Sequence, residues 1–151
     1  KSGIDCFQLF ETYSGIISNE DYKNFILPLS TKILLEARES GVPTIFFPKN
    51  FNEGLKYINK EMCDYVSVDY DISLDNARNL LDSEVGIQGN MDPKIFYQEI
   101  DEIENYLKSL IDFGSKNTDW IFNLGHGFRP DIDHIKVKYV VEWIKNANWK
   151  R

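Results

Sequence analysis

Polar side chains able to bind a ligand stand directly after short apolar runs at several points along the chain. A hydroxyl, a carboxylate, an amide and an imidazole occur in this position, at Thr12, Asp69, Asn90 and His126. These groups form hydrogen bonds or carry charge, so they suit recognition of a polar ligand. Two of them also have a structural interpretation: Thr12 could cap a turn, and His126 could be a histidine bonded to a carbonyl.

The runs before these residues predict β-strands that are covered on both faces. Each run is short, almost continuously apolar and composed of β-branched or aromatic residues, as is typical of parallel strands. The predicted strands are 6–10, 44–47, 65–68, 85–88 and 120–123.

Helical patterns separate the predicted strands, and caps or breakers mark several of their ends. Ser18 with Asp21 resembles a capping box, and Pro28 predicts a kink or a split in the first helix. Gly41 is a common stop signal. Apolar spacing predicts further helices over 51–62, after a Ser73 cap, over 100–111 with an end at Gly114, and over 135–147.

This alternation predicts an α/β fold with parallel strands joined by right-handed crossovers. An open doubly wound sheet usually carries a glycine-rich phosphate-binding turn after its first strand, and residues 11–15 do not form one. No Walker or dinucleotide motif occurs elsewhere. Barrel enzymes gather their site at the C-terminal strand ends, so the polar residues found there favour part of a (β/α)₈ barrel. A full barrel has eight units and about five are present here. We expect that the remaining units are missing or that a partner chain supplies them.

Composition and charge exclude several classes of protein. The chain of 151 residues is 42% hydrophobic and 27% charged, which indicates one globular domain. Its net charge of −7 argues against nucleic-acid binding, and no apolar run approaches the roughly 20 residues of a membrane helix. Cys6 and Cys63 have no metal-ligand spacing, so we predict no metal and two buried thiols in a reducing cytosol.

Three segments resemble the uroporphyrinogen decarboxylase family. Residues 8–15, Gln-Leu-Phe-Glu-Thr-Tyr-Ser-Gly, are similar to its strand that ends in Gln-x-Phe-(Asp/Glu)-Ser-x-x-Gly. Residues 88–93 resemble Gln-Gly-Asn-Leu-Asp-Pro, and residues 123–127 match Asn-Leu-Gly-His-Gly. Order and spacing agree over essentially the whole chain. Tyr13 departs from the His or Trp common at its place, which implies a pocket of altered shape that keeps a hydrogen-bonding group there.

The resemblance implies that residues 1–151 are a single domain, the C-terminal portion of a barrel lyase whose N-terminal portion is absent. Such a lyase removes the carboxyl groups of four acetate arms of uroporphyrinogen, giving coproporphyrinogen in heme biosynthesis. No cofactor is implied, because the protonated pyrrole of the substrate is itself the electron sink. The family's catalytic Asp and its arginines belong to the N-terminal half, so we assign no catalytic residue here and do not expect this chain to be active alone.

Matching residue by residue, the resemblance implies substrate-binding roles at three positions. Thr12 takes the place of a hydroxyl that meets the substrate, His126 that of a histidine that contacts a carboxylate arm, and Phe10 lines the pocket against the macrocycle. Asp69 and Asn90 are expected to support these residues. The resemblance further implies a cytoplasmic homodimer whose active-site clefts face each other, and a substrate whose eight carboxylates conflict with the acidic charge of this chain.

Lys49 and Arg129 stand in strand-end loops and could attract carboxylates, although a solvated position is favoured for both. His134, beside acidic residues at a helix start, is predicted to be a surface residue.

Two alternatives remain open at the level of sequence. Zinc-dependent corrinoid or thiol methyltransferases of the same superfamily carry a His-x-Cys pair near 47–49 and a cysteine near the last strand, and neither is present. The other alternative is a non-catalytic half-barrel that binds or assembles through its uncovered sheet edges.

Overall fold

The computed structural model describes residues 3–149, and over that range five parallel strands form one sheet. The strands are β1 (Phe7–Glu11), β2 (Thr44–Pro48), β3 (Tyr65–Ser67), β4 (Gly86–Gln88) and β5 (Trp120–Ile121). They pair in sequential order, β1-β2-β3-β4-β5. An open doubly wound sheet reverses its order at a switch point, whereas successive barrel units do not. The topology therefore confirms the barrel arrangement.

Most of the predicted helices are present, together with short 3₁₀ turns. The first is continuous from α1 (Asn19–Asp21) through a π-helical turn (Tyr22–Ile26) into α2 (Leu27–Arg38). Pro28 does not split it, because the wide turn before α2 leaves room for the proline ring. The remaining elements are α3 (Leu74–Leu80), α4 (Ile100–Lys116), α5 (His134–Asn146) and 3₁₀ turns at Ser14–Ile16, Asn52–Tyr57 and Pro93–Tyr97.

Serine caps define two helix starts, but the capping box predicted at Ser18 is only half formed, because the Asp21 carboxylate accepts from the Ser18 hydroxyl, at 2.7 Å. The Ser18 hydroxyl accepts a hydrogen bond from the Asp21 backbone N–H at 3.0 Å. The Ser73 hydroxyl accepts one from the Asn76 N–H at 3.2 Å. Each bond satisfies a donor that the first helical turn leaves without an intrahelical partner, which defines where the helix begins.

Two predicted features of the helices were wrong. The helix expected over 51–62 is only the 3₁₀ turn Asn52–Tyr57, in which the Phe51 ring lies against Gly54. The apolar pair Leu55 and Ile58 is three residues apart, which a 3₁₀ turn satisfies as well as an α-helix does. Gly114 does not end α4, which continues to Lys116.

The two faces of the sheet have different surroundings. Phe46, Val66 and Ile87 are fully buried in the hydrophobic core that the helices cover. The opposite face carries Gln8, Phe10, Phe47, Ser67 and Gln88, and we call these five residues the open face. Phe10 is 65% exposed there. In a closed barrel this face would be the packed interior.

The two cysteines differ in burial, so the prediction of two buried thiols was wrong for Cys6. Cys63 is buried, and burial raises the pKa of its thiol to about 12. Cys6 is exposed just before β1. Both are free thiols.

Candidate functional site

His126 is held beside the carboxyl end of the sheet by the strand pairing that continues past β4 and β5. Met91 and Leu124 form an isolated parallel bridge, and the Gly125 N–H donates to the Met91 carbonyl at 2.9 Å. Gly125 also lies against the backbone of Asp69. The loop that carries His126 is therefore anchored to the ends of two neighbouring strands.

Lys49, which follows β2, reaches His126 from across the sheet. Lys49 Nζ lies 3.4 Å from His126 Nε2, and His126 Nδ1 lies 3.4 Å from the Gly127 carbonyl oxygen. A lysine ammonium can only donate, so in a hydrogen bond between these two side chains Nε2 would be the acceptor. The contact places a positive charge beside the imidazole ring.

Asp69 and Asn90 are buried and hold the loops that surround the site. The Asp69 carboxylate accepts hydrogen bonds from the backbone N–H groups of Asn50, at 2.6 Å, and Asp71, at 3.0 Å. The Asn90 amide donates to the carbonyl of Asp69 at 2.9 Å and also to that of Ile72. Both side chains connect loops that follow different strands, and their supporting role at the site stays a prediction.

A polar network on the open face was not predicted from the sequence. The Gln88 amide donates to the Ser67 hydroxyl at 3.2 Å and to Gln8 at 3.4 Å, and Ser67 and Gln88 are buried. The sequence held a signal for them, because Ser67 and Gln88 are polar residues within the apolar runs 65–68 and 85–88, and the structure pairs them on neighbouring strands.

Two cavities meet at His126. One, of about 240 Å³, is mainly apolar and is lined by Phe10, Phe47, Leu124 and Phe128 together with the polar residues Gln8 and Ser67. The other, of about 310 Å³, is lined by Lys49, Lys94 and Arg129. His126, Gly127 and Phe128 line both cavities and so form a shared wall.

The structure brings some of the predicted site residues together and not others. Phe10 and His126 line the apolar cavity. Thr12 is exposed and lines neither cavity, and Asp69 and Asn90 lie behind them. Lys49 and Arg129, for which a solvated position was favoured, line the cationic cavity. Predicted substrate contacts at Thr12, Phe10 and His126 stay predictions.

Within residues 3–149, no three His, Cys, Asp or Glu side chains are grouped closely enough to hold a metal ion. Over the same range, none of the helices combines the length and the apolar character that crossing a bilayer demands.

Sequential parallel strands, with cavities at their carboxyl ends, define part of a β/α-barrel protein of the kind whose sites lie at that end. The chain belongs to the uroporphyrinogen decarboxylase family, whose model, described as "Uroporphyrinogen decarboxylase (URO-D)", matches residues 1–147.

Curated relatives agree with this family. A uroporphyrinogen decarboxylase of Vesicomyosocius okutanii subsp. Calyptogena okutanii is 34% identical over 145 residues, which are 95% of this chain and 42% of the relative. Those of Geobacter sulfurreducens and Chlorobium phaeovibrioides are 31% and 34% identical, each over 99% of this chain and 44% of the relative. The chain thus spans less than half the length of these relatives.

Proposed function

We propose that this chain forms part of the substrate site of a uroporphyrinogen decarboxylase, which removes the acetate carboxyl groups of uroporphyrinogen. The observation that carries the proposal is the apolar cavity bounded by Phe10 and His126 with a cationic cavity behind the same wall. Such a pair suits an apolar macrocycle whose arms carry carboxylates. The decarboxylation reaction itself is proposed from membership of the uroporphyrinogen decarboxylase family.

Each residue then has a role that follows from its position. Phe10, 65% exposed, offers an aromatic face to the macrocycle. His126, with Lys49 at 3.4 Å, offers a carboxylate an ammonium and an imidazole together. Thr12 supplies a hydroxyl at the rim, and Asp69 and Asn90 keep the loops in position. Charge complementarity and positioning are the contributions expected of an enzyme whose substrate is its own electron sink.

The chemical step is assigned to groups outside this chain. The family resemblance puts the acid that binds the pyrrole N–H groups, and the arginines that hold carboxylates, in the other half of the barrel. Because the chain covers 42–44% of its relatives' length, we expect it to bind the macrocycle without turning it over. We further propose that the protein is a cytoplasmic homodimer whose active-site clefts face each other.

Binding is tested with uroporphyrin, the oxidised and fluorescent form of the substrate, titrated with the purified chain. His126→Ala is expected to weaken binding about tenfold, because a hydrogen bond to a charged group contributes about 1.5 kcal/mol or more. His134→Ala is the matched control, since its side chain is 93% exposed. Absence of binding by the unmodified chain, or equal effects of the two substitutions, would overturn the proposal.

Turnover is tested by incubating the chain anaerobically with uroporphyrinogen beside a full-length family enzyme and separating the products by chromatography. No product is expected from this chain when the control is active. Stepwise seven- to four-carboxyl products from the chain alone would contradict the assignment of the catalytic groups to the other half.

A further inference from the structure

The cationic cavity gathers side chains from three separate strand-end loops. Lys49 follows β2, Lys94 follows β4, and Arg129 follows β5, and His126 lies among them. Loops that are distant in sequence thus bring three positive charges to one cavity of about 310 Å³. In a chain of net charge −7, such a local concentration of positive charge creates a field opposite to that of the whole molecule.

These three cations take part in no ion pair among the described residues. The side chains that pair with Asp or Glu there are Arg38, Lys60, Arg78, Lys108, Lys116, His134 and Lys138. Lys49 instead contacts the His126 ring, Lys94 Nζ lies 5.7 Å from the centroid of the Tyr70 ring, and the Arg129 guanidinium lies beside the Tyr97 hydroxyl. Their positive charge is available to a ligand.

One acidic side chain, Asp92, lines the cavity, and a second, Asp131, follows the lining residue Pro130; both accept hydrogen bonds from local donors. Asp92 caps the 3₁₀ turn Pro93–Tyr97 by accepting from the Lys94 backbone N–H at 2.8 Å. Asp131 accepts from the Tyr97 hydroxyl at 2.8 Å. The cavity lining therefore carries three cationic side chains and one carboxylate, which leaves an excess of positive charge to meet an incoming anion.

We propose that this cavity is a carboxylate-binding site, in which Lys94 and Arg129 act with Lys49 to bind the acidic arms of the tetrapyrrole. This inference rests on the proposed function for the identity of the ligand. Because His126, Gly127 and Phe128 border both cavities, the cations lie next to a macrocycle held in the apolar cavity, within reach of its acidic arms. Lysine and arginine bind carboxylates through charge-assisted hydrogen bonds, which are about twice as strong as neutral ones. Lys94 and Arg129 would therefore increase the affinity for macrocycles that carry more carboxylates.

The test compares two variants that lose the same charge. Lys94→Gln/Arg129→Gln removes two cations from the cavity, and Lys32→Gln/Lys145→Gln removes two exposed lysines from α2 and α5. All four positions are exposed, so both variants should fold, and urea unfolding checks this. At low salt the cavity variant should bind uroporphyrin about tenfold more weakly, with a shallower salt dependence, and the control variant within about twofold.

Citrate, a small tricarboxylate, provides a readout that does not depend on the macrocycle. In amide NMR spectra it should shift the signals of the loops carrying Lys94 and Arg129, and the cavity variant should lose those shifts. If uroporphyrin binds and the two variants bind it equally, the inference is overturned and the proposed function stands. If only citrate binds, and only to the unmodified cavity, the carboxylate site stands and the tetrapyrrole function fails. If neither ligand binds, both are overturned.

Discussion

Gly125 and Gly127 flank His126, and the structure gives the two glycines different surroundings. A Cβ on Gly125 would lie 2.8 Å from the Asp69 carbonyl carbon and still closer to the Tyr70 nitrogen, whereas one on Gly127 meets nothing within 4 Å. Gly125→Ala is therefore expected to lower the free energy of unfolding by about 2 kcal/mol, because backbone must shift to make room. It should also weaken uroporphyrin binding by displacing His126. Urea denaturation and fluorescence titration measure the two effects.

Gly127→Ala is the control for that substitution. It adds the same methyl group next to the same histidine but into open space, so stability should change by no more than about 0.5 kcal/mol. Equal losses for the two variants would contradict the close approach of the loops that carry Gly125 and Asp69.

The Asp69 carboxylate organises the turn that presents Lys49 to His126. Asp69→Ala removes the acceptor for the Asn50 and Asp71 N–H groups, and part-buried donors without a partner cost about 1–3 kcal/mol each. We expect the free energy of unfolding to fall by about 2 kcal/mol and uroporphyrin binding to weaken with it. Asp71→Ala, whose side chain is exposed, should leave both unchanged in the same urea and fluorescence measurements. Binding that is unaffected by Asp69→Ala would contradict a supporting role.

At the scale of single residues, the sequence predicted part of the site. Motif matching placed Phe10 and His126 together, and one cavity contains both. The sequence offered Lys49 as a residue that could attract carboxylates but favoured a solvated position, since a lysine in a strand-end loop has the same local signature in both cases. Lys49 and His126 are 77 residues apart in the sequence, and the sheet brings their side chains to within 3.4 Å of each other. Long-range proximity of this kind has no local signal.

At the scale of elements, the ends of the strands were predicted to within a few residues, whereas one helix and the end of another were predicted wrongly. Short apolar runs bounded by polar residues mark parallel strands well, since burial on both faces constrains every position. Gly114 misled the prediction of the end of α4 because glycine commonly follows a helix. Here it lies inside the helix, where a Cβ would come within 2.8 Å of the Trp149 and Trp120 rings. Gly114 leaves space for the rings of Trp120 and Trp149, which are 6 and 35 residues further along the chain. The residues around Gly114 in the sequence therefore gave no signal of this packing.

The end of the sheet opposite the cavities is held by Asp64, which links α2, β2 and β3. Its carboxylate accepts hydrogen bonds from Lys60 and Arg38 at 2.9 and 3.1 Å, and from the Thr44 N–H at 2.9 Å. Burial alone would raise the pKa of Asp64, but the hydrogen bonds from Lys60 and Thr44 lower it to about 2. Because this pKa lies below its unfolded value, the ionised group stabilises the fold above about pH 4, and this contribution is lost as the pH falls towards 2.

Asp64→Asn is therefore expected to be less stable than the unmodified chain by about 1–2 kcal/mol at neutral pH, a range reduced because the carboxylate is partly solvated. Urea unfolding at a series of pH values should show this difference shrinking between about pH 4 and pH 2. Asp5→Asn, at an exposed position before β1, should show no such change. A difference that stays constant down to pH 2 would contradict a lowered pKa at Asp64.

At the scale of the whole molecule, strand order decides between the two architectures that alternation alone leaves open. Five consecutive units give a sheet with edges at β1 and β5 and with an open face that includes the exposed Phe10. Parallel sheets are usually covered on both faces. The sequence predicted these uncovered surfaces from the number of units, but which residues remain exposed depends on the packing of α2 and on the loop that carries His126.

Beside the β1 edge, Phe25, Leu29 and Ile33 follow one another at intervals of four and are 46–68% exposed. Apolar surface of this kind favours association, so the chain's apparent mass should rise above 17.6 kDa with concentration in sedimentation equilibrium. Leu29→Lys/Ile33→Lys should hold it at the monomer mass, because burying two ammonium groups opposes contact. Ile135→Lys/Val141→Lys, at exposed positions of α5 six residues apart, should associate as the unmodified chain does. A monomer at every concentration would show that neither this surface nor the β1 edge drives assembly, and would leave the half-barrel assembly alternative without support.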